Sequence, residues 1–225
     1  MIGFFATLLE NAPDWLSRLR PALAMTLAVT AASFVSACIF AIGLELARQS
    51  RFTLLRRISR VFIDLVRCVP ILTILYLLYF GLPGVGVTLS AFVAGVFGLA
   101  IVYSTYLAEV LRGGVAAIHR GQREAAIAAG LTPLMTFRYI VLPQALRVMA
   151  APLLVTFISL LKDSSICALI AVNELMLTSK VIMSETFMPL HVFVLVGAIY
   201  FAIAWPMSLL ARWIERRLSR ATRTA

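Results

Sequence analysis

The residues best suited to contact a charged solute are Lys162 and Asp163, which are followed directly by Ser164 and Ser165. They come at the end of an apolar stretch, where an unpaired ionisable group is costly and is therefore a candidate for function. Adjacent residues point about 100° apart around a helix, so the two charges cannot fully neutralise each other. We predict that one of them faces the interior of the protein and, with the serines, supplies the donors and acceptors that a zwitterionic small molecule needs. A polar cap at the outer end of the helix is the alternative, and both remain open.

Two further pairs of opposite charge lie in or near apolar stretches. Asp64 and Arg67 are three residues apart, as are Glu109 and Arg112, and this spacing places each pair on one helix face. Self-neutralised helix ends near the membrane surface are the favoured interpretation, because charges are less costly there. Contact with a solute is the alternative, which makes Arg67 and Glu109 candidate pathway residues.

Nothing in the sequence predicts a catalytic residue or a metal site. His119 and His191 are isolated, and Cys38, Cys68 and Cys167 lack the spacing of metal ligands and are interpreted as small apolar residues. The chain has no glycine-rich phosphate loop that ends in Gly-Lys-Ser or Gly-Lys-Thr. We therefore expect no cofactor bound directly, and expect any ATP to be hydrolysed by a separate chain.

Apolar helices must position these residues. Of the 225 residues, 62% are hydrophobic and only 13% are charged, which excludes a disordered chain and a soluble nucleic-acid-binding protein. A helix needs about 20 apolar residues to cross a bilayer, and five charge-poor segments meet that length. We therefore predict a single-domain, all-α integral membrane protein over residues 1–225. The predicted spans are residues 22–47, 61–80, 89–109, 144–163 and 192–211.

Arginines cluster in three of the connecting regions: between the first and second spans, between the third and fourth, and after the fifth. Basic residues are enriched in the cytoplasmic loops of membrane proteins. The pattern predicts an outside (periplasmic) N-terminus and a cytoplasmic C-terminus. The net charge of +10 is explained by this orientation in a lipid bilayer and requires no nucleic acid as a partner.

Residues 118–143 form a long polar connection between the third and fourth spans. Residues 122–129 are rich in good helix formers, and Gly130 is placed to end that helix. Thr132 is predicted to cap a second short helix that ends before Pro143. Apolar side chains on these helices would be costly in water and indicate a surface that docks another protein. They are Leu131, Met135 and Phe137.

The sequence Glu124-Ala125-Ala126 is followed after three residues by Gly130 and, nine residues later, by Ile140-Val141-Leu142-Pro143. This pattern resembles the EAA loop of binding-protein-dependent ABC importer permeases. In that family the loop forms a coupling helix that fits a groove on the cytoplasmic ATPase. The resemblance therefore implies coupling roles for Glu124, Ala125, Ala126, Gly130, Ile140, Leu142 and Pro143.

Three further segments are similar to the branch of this family that transports polar amino acids. They are Arg67-Cys68-Val69-Pro70, residues 103–114, and Lys162-Asp163-Ser164-Ser165 with the following Asn173-Glu174-Leu175. The resemblance implies the type I (MetI-like) importer permease fold, with five spans and a cytoplasmic coupling helix. It also implies pathway roles for Arg67, Pro70, Glu109, Lys162, Asp163, Ser164 and Ser165. Cys68-Val69 replaces the usual Gly-Thr, and Ile74 stands where many relatives carry Gln, so the solute remains open.

The function that the resemblance implies is the permease subunit of an importer in the bacterial inner membrane. Its expected partners are a periplasmic solute-binding protein, a second permease subunit that is identical or homologous, and a dimer of cytoplasmic ATPases that use ATP with Mg²⁺. The expected solute is a polar amino acid. The alternatives are another small polar solute, such as an opine, or a membrane scaffold or sensor that transports nothing.

Overall fold

A computed structural model describes residues 2–221, and side chains between residues 3 and 218; every regular element in this part of the chain is helical. The helices are α1 Ile2–Arg48, α2 Thr53–Cys68, α3 Ile71–Tyr76, α4 Ala91–Ala116, α5 Arg120–Ala128, α6 Pro133–Met135, α7 Leu142–Asp163, α8 Leu175–Thr186 and α9 Pro189–Ala221. Turns of 3₁₀ or π-helix continue or join some of these α-helices. A π-helical turn at Leu77–Gly81 and a 3₁₀ turn at Leu82–Val85 continue α3, a π-helical turn at Thr136–Val141 joins α6 to α7, and a 3₁₀ helix at Ser164–Ile170 follows α7.

Four of the described helices are long and apolar enough to cross a membrane, namely α1, α4, the continuous α6–α7 helix and α9. The bent pair α2 and α3 supplies a fifth candidate. The described chain is thus an all-α protein with the five spans predicted from the sequence, provided that the bent pair is one span.

The second span departs from its prediction of one helix over residues 61–80. The chain breaks at Val69 and Pro70, and α2 is bent by 105° from the segment that follows. Val69 is extended, with φ −94° and ψ 132°, because a residue before proline is sterically excluded from the helical region. The prediction of a continuous helix is therefore wrong, and Pro70 lies at the bend.

Helix α1 begins about twenty residues before the predicted first span. Its early turns are amphipathic, and Trp15 and Leu19 are each 1% exposed where they pack against Leu175 and Val192. Arg18 adds an ion pair to Glu185 of α8, with 2.6 Å between the nitrogen and oxygen. Packing against α8, a helix that the sequence pattern did not indicate, accounts for the longer α1.

Glu174 holds α8 to its neighbours. Its fully buried carboxylate accepts hydrogen bonds from the backbone N–H groups of Met176 and Leu177, each at 2.9 Å, and from the Tyr200 hydroxyl of α9 at 3.2 Å. Burial raises the pKa of Glu174, and these hydrogen bonds oppose that rise. The backbone N–H of Leu175 donates to Thr26 of α1. These buried hydrogen bonds thus join α1, α8 and α9. We call this part of the bundle the α8 end.

Helix α4 is the centre of the bundle and packs against α1, α3 and α7. Thirteen of its 26 residues are buried. Gly114 permits the closest approach to α7, since a Cβ there would lie 2.3 Å from Cγ of Met149. Small residues allow membrane helices to approach closely in this way. This contact lies at the end of the bundle that carries α5 and the beginning of α7, which we call the α5 end.

Candidate functional site

Two local motifs shape the helical hairpin at the α5 end. His119 caps α5, because its ring Nδ1 accepts a hydrogen bond from the backbone N–H of Gly121 at 3.1 Å. The end of α5 closes with hydrogen bonds from Gly130 N–H to Ile127 and from Leu131 N–H to Ala126, and Gly130 adopts φ +83°. This left-handed C-cap is the arrangement that favours glycine. The predicted turn at Gly130 is confirmed.

The hairpin exposes a cluster of large apolar side chains that we call the α5–α6 patch. Exposed fractions range from 42% to 75% for its members, which are Ile127, Leu134, Met135, Phe137 and Tyr139. Glu124 and Ala125 are exposed on the same hairpin, whereas Ala126 is only 6% exposed and packs inside the chain. Glu124 and Ala125 are thus available to a partner, and Ala126 supports the hairpin from within.

The second half of the hairpin is the start of a long helix. Thr132 caps it as predicted, with its hydroxyl oxygen accepting from the Met135 N–H at 3.3 Å. The prediction that this helix ends before Pro143 is wrong, because the chain remains helical from Pro133 to Ile170. Proline lacks a backbone N–H, and the π-helical turn just before Pro143 changes the local hydrogen-bond pattern. Four of the five residues of the α5–α6 patch, all except Ile127 of α5, therefore lie on the same continuous helix as α7.

Two contacts fix the hairpin to the spans. The Arg123 guanidinium donates to the backbone oxygen of Val115 near the end of α4, at 3.0 Å. Val141 packs with Ala145 and Ile118 in a small buried cluster. Ile140 and Leu142 are half-buried, and Pro143 is exposed. Force applied to the hairpin would consequently pass to α4 and α7 rather than be absorbed by a flexible loop.

A second candidate site lies between α4 and α7, halfway along the bundle. The Tyr103 hydroxyl donates a 2.7 Å hydrogen bond to Oδ2 of Asp163, and Tyr103 is midway along the 26-residue α4. Asp163 is therefore deep in the bundle and not at its outer end, because the helix continues beyond it to Ile170. This placement disagrees with the alternative of a polar cap at the helix end.

A cavity of about 290 Å³ lies beside this hydrogen bond. Its lining combines a carboxylate, two tyrosines, two hydroxyl side chains and two aliphatic side chains: Asp163, Tyr103, Tyr106, Thr156, Ser159, Ile71 and Val155. Arg67 lies over the Tyr106 ring, with its guanidinium carbon 5.2 Å from the ring centroid. Ligand pockets for drug-sized molecules are about 300–1,000 Å³, so the volume suits a small polar molecule. We call this space the solute cavity as a label for the hypothesis that it holds one.

The other residues predicted to line the pathway do not line the solute cavity. Lys162 is exposed and does not line the solute cavity, which agrees with the prediction that the two charges point in different directions. The hydroxyls of Ser164 and Ser165 donate to backbone oxygens of their own helix, at 2.8 and 2.7 Å. Ile74 packs against the main core. Only Asp163 of the Lys162–Ser165 group contributes to the cavity lining.

Glu109 belongs to a separate charged cluster at the α5 end. It accepts hydrogen bonds from Arg48 of α1 at 2.6 Å and from Arg112 at 2.8 Å, so the predicted Glu109–Arg112 pair is present. Arg48 also pairs with Glu45. Within the described residues Asp64 forms no ion pair with Arg67. Glu109 thus joins α1 to α4 and does not line the solute cavity.

Sequence reasoning missed the direct contacts that Tyr103, Thr156 and Ser159 make with the cavity. Tyr103 lies in a segment that was singled out, but nothing in a single sequence pairs it with Asp163, sixty residues away. The available signal was periodicity. Thr156, Ser159 and Asp163 recur at intervals of three and four residues, which places them on one face of α7.

A family model described as binding-protein-dependent transport system inner membrane component matches residues 36–220. The chain belongs to this family. It is 34% identical to the probable amino-acid ABC transporter permease protein YckA of Bacillus subtilis (strain 168), covering 85% of each chain. It is 33% identical to the glutamine transport system permease protein GlnP of Escherichia coli (strain K12), covering 86% of this chain and 90% of the relative.

Solved structures of such transport components share the fold. The chain superposes on a crystal structure of an amino acid ABC transporter with histidines, with a TM-score of 0.85 and 32% identity over 95% of this chain and 98% of that one. It also matches an inward-facing structure of the MetNI methionine ABC transporter, with a TM-score of 0.63 and 20% identity over 88% and 95% of the two chains. The type I permease fold is confirmed, and the protein is a multi-pass membrane component of a binding-protein-dependent transport system.

Proposed function

We propose that this protein is the permease subunit of an ATP-driven importer for polar amino acids. The observation that carries the proposal is the continuous helix from Pro133 to Ile170, which joins the exposed α5–α6 patch to Asp163 in the solute cavity. About 45 Å of helix separates Pro133 from Asp163 at about 1.5 Å per residue. A partner that moves the patch would therefore move one wall of the cavity.

The chemistry of the solute cavity fits a zwitterion. The Asp163 carboxylate is suited to an ammonium group, and charge-assisted hydrogen bonds of this kind are among the strongest in proteins. Thr156 and Ser159 supply hydroxyl groups, and Arg67 lies beside the Tyr106 ring that lines the cavity. In this proposal Tyr103 positions Asp163 through its hydroxyl. The names of the relatives, which include amino-acid and glutamine permeases, support the same class of solute.

The proposed partners follow from the family and from the exposed surface. A periplasmic binding protein delivers the solute at the α8 end, and an ATPase dimer that uses ATP with Mg²⁺ docks on the α5–α6 patch of each of two permease subunits. Glu124, Ala125 and the large apolar residues of the patch form the contact. The permease itself hydrolyses nothing. An importer of another small polar solute, such as an opine, would use the same machinery.

Uptake by cells tests this function. Cells that contain the protein with its cognate ATPase and binding protein are expected to accumulate at least one labelled polar amino acid, and cells without this chain are expected not to. Competition by a panel of unlabelled amino acids identifies the class. Affinity purification of the permease should recover the ATPase. A chain that neither supports uptake nor retains an ATPase would be a scaffold or sensor.

The proposed orientation places the α8 end outside and the α5 end in the cytoplasm, within the inner membrane. Single cysteines introduced at Val85 and Phe187, which are 75% and 86% exposed, should react with an impermeant thiol reagent in intact cells. A cysteine at Leu134, also 75% exposed, should react only after permeabilisation. The three native cysteines are replaced first. Labelling at position 134 in intact cells would contradict this orientation; position 222, in the tail predicted to be cytoplasmic, lies outside the described residues.

A further inference from the structure

Helix α2 has two chemically different sides, and the proposed transport function uses only Arg67 of them. Six large apolar side chains, each 38–72% exposed, lie within about 60° of Ile58 on a helical projection. They are Leu54, Leu55, Ile58, Val61, Phe62 and Leu65. Arg56, Arg60 and Arg67 lie on the opposite side, and Arg57 lies at the edge between the two. An apolar stripe beside a basic face is typical of a helix that meets lipid on one side.

The neighbours of α2 show which side faces the membrane interior. Phe62, at the edge of the apolar stripe, lines a groove of about 510 Å³ with Ile39, Phe40 and Gly43 of α1 and Ile101 of α4. This groove is lined almost entirely by apolar side chains. Arg60 instead lines a cavity with the ion-paired residues Arg48 and Glu109 at the α5 end. Phe62 shares this groove with Ile101 and Arg67 lies over the Tyr106 ring, both near the middle of α4, so α2 runs from the α5 end towards the middle of the bundle.

Helix α2 carries four arginines and a single acidic residue, Asp64, which lines the same cavity as Arg60, so the net charge of the helix is positive. Within the described part of the chain, Arg56, Arg57 and Arg60 form no ion pair with any acidic side chain. Arg57 precedes Phe62 by five residues, about 7.5 Å along the helix axis and about 140° around it. A phospholipid that lies along the exposed apolar stripe between them is long enough to place its headgroup at Arg57 and an acyl chain in the groove. Opposite charge and an adjoining apolar groove together match the two parts of an anionic phospholipid.

We infer that α2 and the adjoining α1–α4 groove form a binding site for an anionic phospholipid. An acyl chain occupies the groove between Phe40, Gly43 and Phe62, and the phosphate contacts Arg56 and Arg57. Basic segments beside membrane spans bind anionic headgroups in this way. The lipid would hold α2 against α1 and α4, next to the bend that leads into the second span. This site is independent of the solute and of the ATPase.

Lipid binding to the purified full-length protein tests the site. Native mass spectrometry after titration with phosphatidylglycerol or phosphatidylcholine measures how many lipids stay bound and how tightly. The parent is expected to retain phosphatidylglycerol preferentially. Arg56→Gln/Arg57→Gln should weaken that binding by roughly 25-fold, because each arginine near an anionic surface contributes roughly fivefold. Arg60 is left in place since it lines the ion-paired cavity.

Two glycine substitutions form a matched pair that tests the groove. Gly43 and Gly197 are both exposed, and a Cβ at either position meets no atom within 4 Å. Gly43→Leu should fill the groove and displace the lipid, whereas Gly197→Leu on α9 should bind lipid like the parent. Arg20→Gln/Lys180→Gln removes two charges from the α8 end and should also leave binding unchanged.

Three results would overturn this inference. One is equal retention of phosphatidylglycerol and phosphatidylcholine by the parent, and another is parental lipid binding by the Arg56→Gln/Arg57→Gln variant. The third is a Gly43→Leu variant that binds lipid normally but associates less with itself, as measured by light scattering. That result would mean that a second copy of the chain covers the groove. Uptake activity does not enter these measurements, so their outcome is separate from that of the proposed transport function.

Discussion

Asp163→Asn is expected to abolish most uptake while leaving the protein folded in the membrane. Asparagine keeps the shape of the side chain, and its amide oxygen can still accept the hydrogen bond from Tyr103. The substitution removes the negative charge that would hold an ammonium group. A hydrogen bond to a charged group contributes about 1.5–3 kcal/mol, so affinity should fall by roughly 10- to 150-fold. Initial uptake rates of the best-transported amino acid, measured over a range of concentrations, report this loss as a raised apparent KM.

The control for this prediction is Asp14→Asn, which makes the same chemical change at an exposed position on α1 and should leave uptake unchanged. Ser165→Ala should also be silent, because that hydroxyl is bonded to its own helix. Tyr103→Phe keeps the buried ring but releases the carboxylate, so it should raise KM by a smaller factor than Asp163→Asn. If Asp163→Asn is inserted normally and transports at the parental KM, the solute binds elsewhere.

The apolar spans and the hairpin turn could be predicted because they depend on local rules. Charge-poor stretches identify the spans, and a glycine between two helix-forming segments identified the turn at Gly130. The effect of a proline on a helix depends on the surroundings of that proline. Pro70 breaks the second span at a bend, whereas Pro143 lies near the start of α7 in a chain that stays helical, with a π-helical turn beside it. Sequence alone did not distinguish these two outcomes.

Long-range contacts explain the rest of what could not be predicted. Residues 2–21 are helical because Trp15 and Leu19 find apolar partners in α8 and α9, which are more than 150 residues away along the chain. Asp163 could be singled out as a charge in an apolar stretch, but its depth depended on where α7 begins and ends. Its contact with Tyr103 required the packing of α4 against α7. The type of residue was thus predictable, and its partner was not.

Gly130→Val is expected to uncouple ATP hydrolysis from transport. Gly130 has φ +83°, and a Cβ there would meet no atom within 4 Å, so the cost is conformational rather than a clash. A non-glycine residue in this region costs of the order of 1–3 kcal/mol, and a branched side chain is among the least suited to it. The population of correctly angled hairpins should fall by roughly 5- to 150-fold. Binding-protein-stimulated ATPase activity of the reconstituted complex, with uptake by the same proteoliposomes, measures the effect.

Two companion variants separate hairpin geometry from general damage. Gly130→Asn should keep most of the activity, because asparagine tolerates the left-handed conformation, whereas Gly113→Val adds the same side chain at an equally open position inside α4 and should couple normally. Ala125→Trp should block the ATPase by bulk at an exposed position. Tryptophan at Ala126 is unsuitable, because that residue is buried and the change would disturb the hairpin itself. If both Gly130→Val and Ala125→Trp couple ATP hydrolysis to transport like the parent, the α5–α6 hairpin is not part of the coupling pathway. The continuous helix that reaches Asp163 would then carry no motion from the ATPase.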